Sequence, residues 1–176
     1  MSDPGQPVYL VNAEGDPVRL VIQGRASYTN CGPVQQFFDR IASEGTASLE
    51  IDFSACTGMD STFMGLLAGT AMNLRVRKPV TGEITLRHLS SRNLELIRNL
   101  GLHRLVKVVD SPYGPVSSPA TPVSGATHLP AQSPNPSASQ ETILQAHENL
   151  MKADPANVAK FQDVVAFLRR EAPPKP

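Results

Sequence analysis

The sequence predicts an α/β fold: a mixed sheet of four to five strands in ββαβαβαβ order, plus a C-terminal helical hairpin. Three observations predict it. Short runs rich in Val, Leu and Ile recur between segments whose apolar residues fall at helical spacing. Strands that alternate with helices imply parallel strands joined by right-handed crossovers, and an opening β-hairpin makes the sheet mixed. Composition then shifts sharply near residue 111, which sets the last helices apart.

The elements follow in order. "VYLVNAEGDPVRLVIQG" reads as two strands around a turn at Glu14–Pro17, where Gly15, Asp16 and Pro17 are turn formers. A polar stretch, Arg25–Asn30, leads to a helix with Val34, Phe37, Phe38 and Ile41 on one face, Pro33 in its first turn and Gly45 as its stop. "ASLEIDF", 47–53, alternates Leu49, Ile51 and Phe53 against polar residues and reads as a strand; a short polar loop follows. The second helix is predicted over Ser61–Val76, with Met64, Leu67, Ala68, Ala71 and Leu74 on one side. Arg75, Arg77 and Lys78 close it where the helix dipole favours cations, and read as a solvated helix end. "EITLRHL", 83–89, is a strand. "SSRNLELIRNLGL" is a helix capped by Ser90 or Ser91 and stopped by Gly101, and "RLVKVVD", 104–110, closes the sheet.

Sixteen basic residues balance sixteen acidic ones. No nucleic-acid partner is expected, because such a binder needs a cationic stripe to displace counterions. No apolar run approaches the length of a membrane span, so no membrane insertion is expected, and "MSDPGQPVYLV" lacks the order of a signal peptide. Cys31 and Cys56 have no metal-ligand spacing; they could close a small disulfide, but read more readily as buried thiols in a reduced cytosol, so a cytoplasmic location is expected. Residues 111–139 are dominated by Pro, Ser, Ala and Thr, and read as a disordered linker between a domain over 1–110 and a helical piece over 140–172.

One junction carries three adjacent polar side chains, Asp60, Ser61 and Thr62, at the start of an apolar helix. Such residues cap helices, and an N-cap alone explains at least one of them. They can also form a site. Nucleophilic catalysis at Ser61 would need a base. No G-x-S-x-G elbow or phosphate-binding G-x-x-x-x-G-K-[ST] loop is present, and His88 and His103 have no motif linking them to Ser61.

Over residues 8–110 the chain resembles the STAS family, best known from bacterial anti-sigma-factor antagonists. "LVIQGRASYTN", "LEIDFSACTGMDSTFMGLL" and "NLGLHRLVKVVD" carry the resemblance. The family's central pattern is a strand ending in D-x-S, then D-S-S-G-x-G opening a helix. Asp52 and Ser54 match its first part; Asp60, Ser61, Thr62 and Gly65 match its second. Phe63 stands where the family usually has Gly.

The resemblance implies a STAS-type fold and a non-enzymatic phospho-switch with no cofactor of its own. The phosphorylated serine falls on Ser61. Unmodified, such a domain binds an anti-sigma factor with Ser kinase activity and frees a sigma factor; a phosphatase restores the modified form. ATP and metal belong to the kinase. Asp52, Ser54, Asp60, Ser61, Thr62, Phe63 and Gly65 are the expected partner-binding residues. An alternative is a STAS-like interaction subunit of another assembly, such as a lipid-transport complex or a stress-signalling scaffold. Phe63 either folds into the core or stands beside Ser61 as an aromatic anchor. The family's usual Gly implies little room beneath the backbone, which favours the anchor.

The C-terminal piece shows two amphipathic faces: Ile143, His147, Leu150 and Met151, then Val158, Phe161, Val165 and Leu168. Asp154 is the expected cap of the second helix, with Pro155 at its first position. About thirty residues cannot make their own core, so these faces dock on the first domain, self-associate or bind a partner. His147 reads as a helix-surface or interface residue.

Overall fold

The computed structural model describes residues 8–46, 48–77, 81–109, 125–129 and 138–172. The opening hairpin is β1 (Tyr9–Asn12) and β2 (Val18–Ala26), antiparallel and in continuous register from Tyr9↔Ile22 to Asn12↔Arg19. Helix α1 (Gly32–Glu44) follows, with Val34, Phe37, Phe38 and Ile41 buried and Gly45 closing it in the left-handed region that glycine tolerates. Then come β3 (Ser48–Met59), α2 (Ser61–Val76), β4 (Glu83–Arg87), α3 (Ser91–Asn99), a 3₁₀ turn (Leu102–Arg104) and β5 (Lys107–Val109). The order ββαβαβαβ is the predicted one, and β2, β3, β4 and β5 pair in parallel as the crossovers require.

Three local readings differ from the sequence expectation. The strand ending in Phe53 runs on to Met59, so the predicted polar loop is strand. Its small residues carry little strand propensity, and two register shifts against β2, at Val21/Gln23 and Gly24/Arg25, break its alternation. The last strand is shorter than predicted, because Leu102–Arg104 winds into the 3₁₀ turn. Most of the predicted linker, 111–139, lies outside the described residues. Within it Thr127–His128 forms β6, antiparallel to β1, which makes the sheet order β5-β4-β3-β2-β1-β6.

The hairpin is α4 (Gln140–Ala153) and α5 (Ala156–Glu171). Ser139 caps α4 by accepting from the Thr142 N–H. Pro155, not Asp154, occupies the N-cap of α5; the Asp154 carboxylate still accepts from the Ala156 N–H at 2.9 Å. Helix α4 packs on α2 and on α5, and α5 also reaches the domain through Asn157 and Lys160. This explains a property of α2 that a one-sided reading misses. Every residue from Thr62 to Ala71 is buried. A helix apolar on all sides is buried on all sides, here by the domain core on one and α4 on the other.

Candidate functional site

The site is built where β3 hands over to α2. The Asp60 N–H extends the ladder to the Ala26 carbonyl. Its side chain caps α2: Oδ1 accepts from the Phe63 N–H at 3.0 Å, and Oδ2 accepts from the Tyr28 N–H at 2.7 Å. The capping reading of Asp60 therefore holds, and the same carboxylate ties the β2–α1 loop to the helix start. Thr62 turns inward and is 3% exposed. Ser61 turns outward and is half-buried.

Phe63 is a correction. It is fully buried, stacked on Tyr9 at 6.4 Å and tilted against Phe38 at 6.4 Å, so it is core and not a surface anchor. Room exists beneath the backbone because Tyr9, on β1, lays its ring parallel to that of Phe63. Its hydroxyl leaves the core to donate to Asn30 Oδ1 at 2.9 Å.

The Ser61 hydroxyl meets His147 Nε2 of α4 at 3.0 Å. On the same ring Nδ1 lies 2.7 Å from the Ile143 carbonyl, one turn back. A carbonyl only accepts, so Nδ1 carries the proton, and in the neutral ring Nε2 accepts from Ser61. His147 is 6% exposed and packs edge-on against Phe161 at 5.3 Å, so the ring is buried while Ser61 keeps part of its surface open.

Gly65 and Gly69 continue the Ser61 line along α2 at four-residue steps. A Cβ on Gly65 would run into the Ala146 carbonyl and lie 2.7 Å from the Ala146 Cα; one on Gly69 would lie 2.9 Å from the Asn149 Cγ. Asn149 Nδ2 donates to the Gly65 carbonyl at 3.2 Å. Thus Ser61 and Gly65 share one surface, and α4 lies on it.

Asp52 and Ser54 are elsewhere. From Asp52 to Met59, β3 keeps pace with the five residue steps from Val21 to Ala26. At about 3.3 Å per step that is roughly 17 Å. Asp52 thus lies near the far end of β3 from Ser61, with Ser54 two residues closer. Asp52 Oδ1 accepts from the Ser54 N–H at 2.8 Å and lies 3.1 Å from His88 Nδ1. The Arg residues at the end of α2 are used structurally. Arg75 donates to the Arg104 carbonyl at 2.8 Å, and the Arg77 guanidinium donates to the carbonyls of Ile41, Ala42 and Thr46 at the end of α1. Lys78 lies outside the described residues.

Beneath the site, burial pushes the Cys31 thiol up to about 12, with the nearby Asp60 charge adding to the rise. Burial also raises Tyr9 and Cys56. Among the described residues no group of three or more His, Cys, Asp or Glu could hold a metal ion, and no helix is long and apolar enough to cross a membrane.

A family model described as "Mlab, STAS domain" matches residues 9–107, more than half of the chain. The chain belongs to the STAS family. Among solved structures, the anti-sigma factor antagonist SpoIIAA in its unphosphorylated form is similar, at 16% identity and a TM-score of 0.47. That likeness covers 58% of this chain and 88% of that one. No curated protein matches the sequence. The STAS match ends at residue 107, so β6 and the hairpin over Ser61 lie beyond it.

What the sequence missed at the site is the hairpin's place. His147 was visible on an apolar face of α4, but 86 residues separate it from Ser61. The available signal was the Gly65/Gly69 spacing, which marks a helix side that another backbone can approach closely.

Proposed function

We propose that this STAS protein is a non-enzymatic interaction switch of the anti-sigma-factor-antagonist type, acting in the cytoplasm, with Ser61 as its regulated residue. One observation carries the reading. Of the two hydroxyls at the start of α2, Thr62 is committed to the core and Ser61 alone faces out of the domain. In its unmodified form the surface around Asp60 and Ser61 binds an anti-sigma factor that is also a Ser kinase, and a sigma factor is released. The kinase moves the γ-phosphoryl group of its ATP to Ser61 Oγ. The terminal P–O bond of ATP breaks, ADP leaves, and the hydroxyl proton passes to a base on the kinase. A phosphatase returns the serine. The added group brings about −1.5 to −2 charges to a helix N-terminus, which tolerates an anion, so the domain stays folded while the docking surface beside Asp60 becomes more negative.

The test is a pull-down from the source cell with wild type and Ser61→Asp, combined with mass spectrometry after incubation with the captured kinase and ATP. The expected result is a Ser kinase retained by wild type, lost with Ser61→Asp, and one phosphate on Ser61. Phosphate on Ser54 or Thr62 with Ser61 untouched overturns the assignment.

A second reading, a STAS subunit of another assembly such as a lipid-transport complex, has its own support. The matching family model carries the description "Mlab", and Phe63 fills the place where phosphorylated relatives usually keep Gly. A transporter ATPase captured in place of a Ser kinase selects it.

A further inference from the structure

We propose that the α4–α5 hairpin is an autoinhibitory cover over Ser61, which must lift before a partner or a kinase can reach that residue. The inference rests on the reading of Ser61 as the switch residue and adds what controls access to it.

Ser61 Oγ and His147 Nε2 are already at hydrogen-bond distance, 3.0 Å. A phosphorus atom with its three oxygens has no place between them, and a kinase has no line of approach while α4 lies there. The same holds for a docking partner. Backbone of α4 touches backbone of α2 at Gly65, and no third chain fits between. Unmodified and unbound, the switch is therefore closed. Bound or phosphorylated, it is open, and the phosphate itself keeps α4 from returning. Removing the phosphate lets the cover close again. Closure needs no diffusion, because the hairpin is joined to the domain by the same chain, and a tethered segment acts at a high effective concentration.

The way the hairpin is held suits a cover more than a core. On α4 only Ala146 and Leu150 are wholly buried apolar residues, and on α5 Val165 is nearly so. The domain side of α2, by contrast, buries Phe63, Leu67 and Leu74. Much of the remaining attachment is polar. Thr142 Oγ1 donates to Gln35 Oε1 at 2.9 Å, Asn149 to the Gly65 carbonyl, Asn157 to the Leu100 carbonyl at 2.9 Å, and Lys160 to the Asn99 carbonyl at 2.8 Å. Arg104 pairs with Asp154 at 3.2 Å. Water can take over the exposed Lys160 and Arg104 contacts when the hairpin leaves, whereas the Asn157 bond to the Leu100 carbonyl is buried and is lost outright.

Hydrogen exchange by mass spectrometry on the intact chain tests this without any partner. In the wild type, amides of α4 and α5 should exchange together, at least about tenfold faster than those of β2, β3 and β4, as a unit that opens by itself. Leu150→Asp, which places a carboxylate where α4 joins the domain's core cluster, should raise exchange over 140–171 at least about tenfold further with the strands unchanged. Phosphoserine installed at position 61 during synthesis should do the same. Exchange of α4 only at the β3 rate, or loss of strand protection together with α4 in Leu150→Asp, overturns the proposal. Kinase modification of Ser61 while α4 stays protected overturns it too, and leaves the switch reading standing. A cover that opens as described over a serine that no kinase modifies supports the proposal while the switch reading falls.

Discussion

Phe63 and Ser61 stand two positions apart on α2, and at 3.6 residues per turn they face nearly opposite ways. One is core and the other is surface, so substitutions should separate cleanly. Phe63→Ala removes a fully buried ring from between Tyr9 and Phe38 and should cost about 3–5 kcal/mol, read as a large drop in the urea midpoint. The sequence could not decide this, because the ring's space is made by Tyr9, 54 positions earlier in the chain and on another element. Asp60→Ala removes a helix cap and the bridge to Tyr28 together, and should cost about 1–2 kcal/mol in the same assay. Cys31 sets a pH dependence. Its folded value, pushed from 9.0 to about 12, lies above the unfolded one. The stability it contributes is complete below pH 9 and is lost as pH rises from there toward 12, because the unfolded chain gives up the proton first. Urea unfolding at two alkaline pH values should therefore show falling stability, and Cys31→Ala should flatten part of that fall.

Among the elements, α2 was the most legible in its limits and the least legible in its surroundings. Its predicted span, Ser61–Val76, is the observed one, since Asp60 is a good cap and the apolar run is long. Its predicted single buried face is wrong by half, because a second face of Gly, Ala and Thr reads as weakly polar until another helix lies on it. The end of β3 was misread for a related reason: Ser54–Met59 is small and irregular in pattern, and only pairing with β2 makes it strand. The hairpin helices were legible as amphipathic, but the buried face of α4 is Thr142, Ala146, His147 and Leu150, rotated from the predicted one toward smaller and more polar residues. Gly65→Ala tests the contact between the two helices. Within α2 the change should help, by about 1 kcal/mol of helix propensity. Against α4 it should do harm, because the Ala146 backbone must retreat. The expected outcome is a sound domain with a loosened hairpin: NMR amide shifts that move over 139–157 while those of β3 stay in place.

For the whole molecule, the ββαβαβαβ order and the existence of a C-terminal hairpin could be read from periodicity and turn residues, and the STAS family from its resemblance at the β3–α2 junction. How the domain and the hairpin meet could not. That contact joins residues far apart in sequence, and the span between them, rich in Pro and Ser, carries no pattern that fixes a direction. The same composition does predict where the chain is most easily cut. Limited proteolysis should cleave first within 111–139. The hairpin piece should then leave the domain on dilution in gel filtration, because the cut removes the tether that returns it to α2. A first cut within 20–105 would show that the domain boundary is misplaced.

The two-residue strand β6 also sets a limit on travel. It fastens the chain to the free side of β1 at Thr127–His128, and Leu129 donates to the Tyr9 carbonyl. Only residues 130–137, eight of them, lie between that fastening and Ala138 at the foot of α4. Fully extended, eight residues reach about 28 Å at most. A lifted hairpin is thus on a short leash: long enough to clear α2, too short to wander. Trading hairpins between two copies of the chain would need a longer one, and the chain has it only if those two residues let go of the sheet's edge.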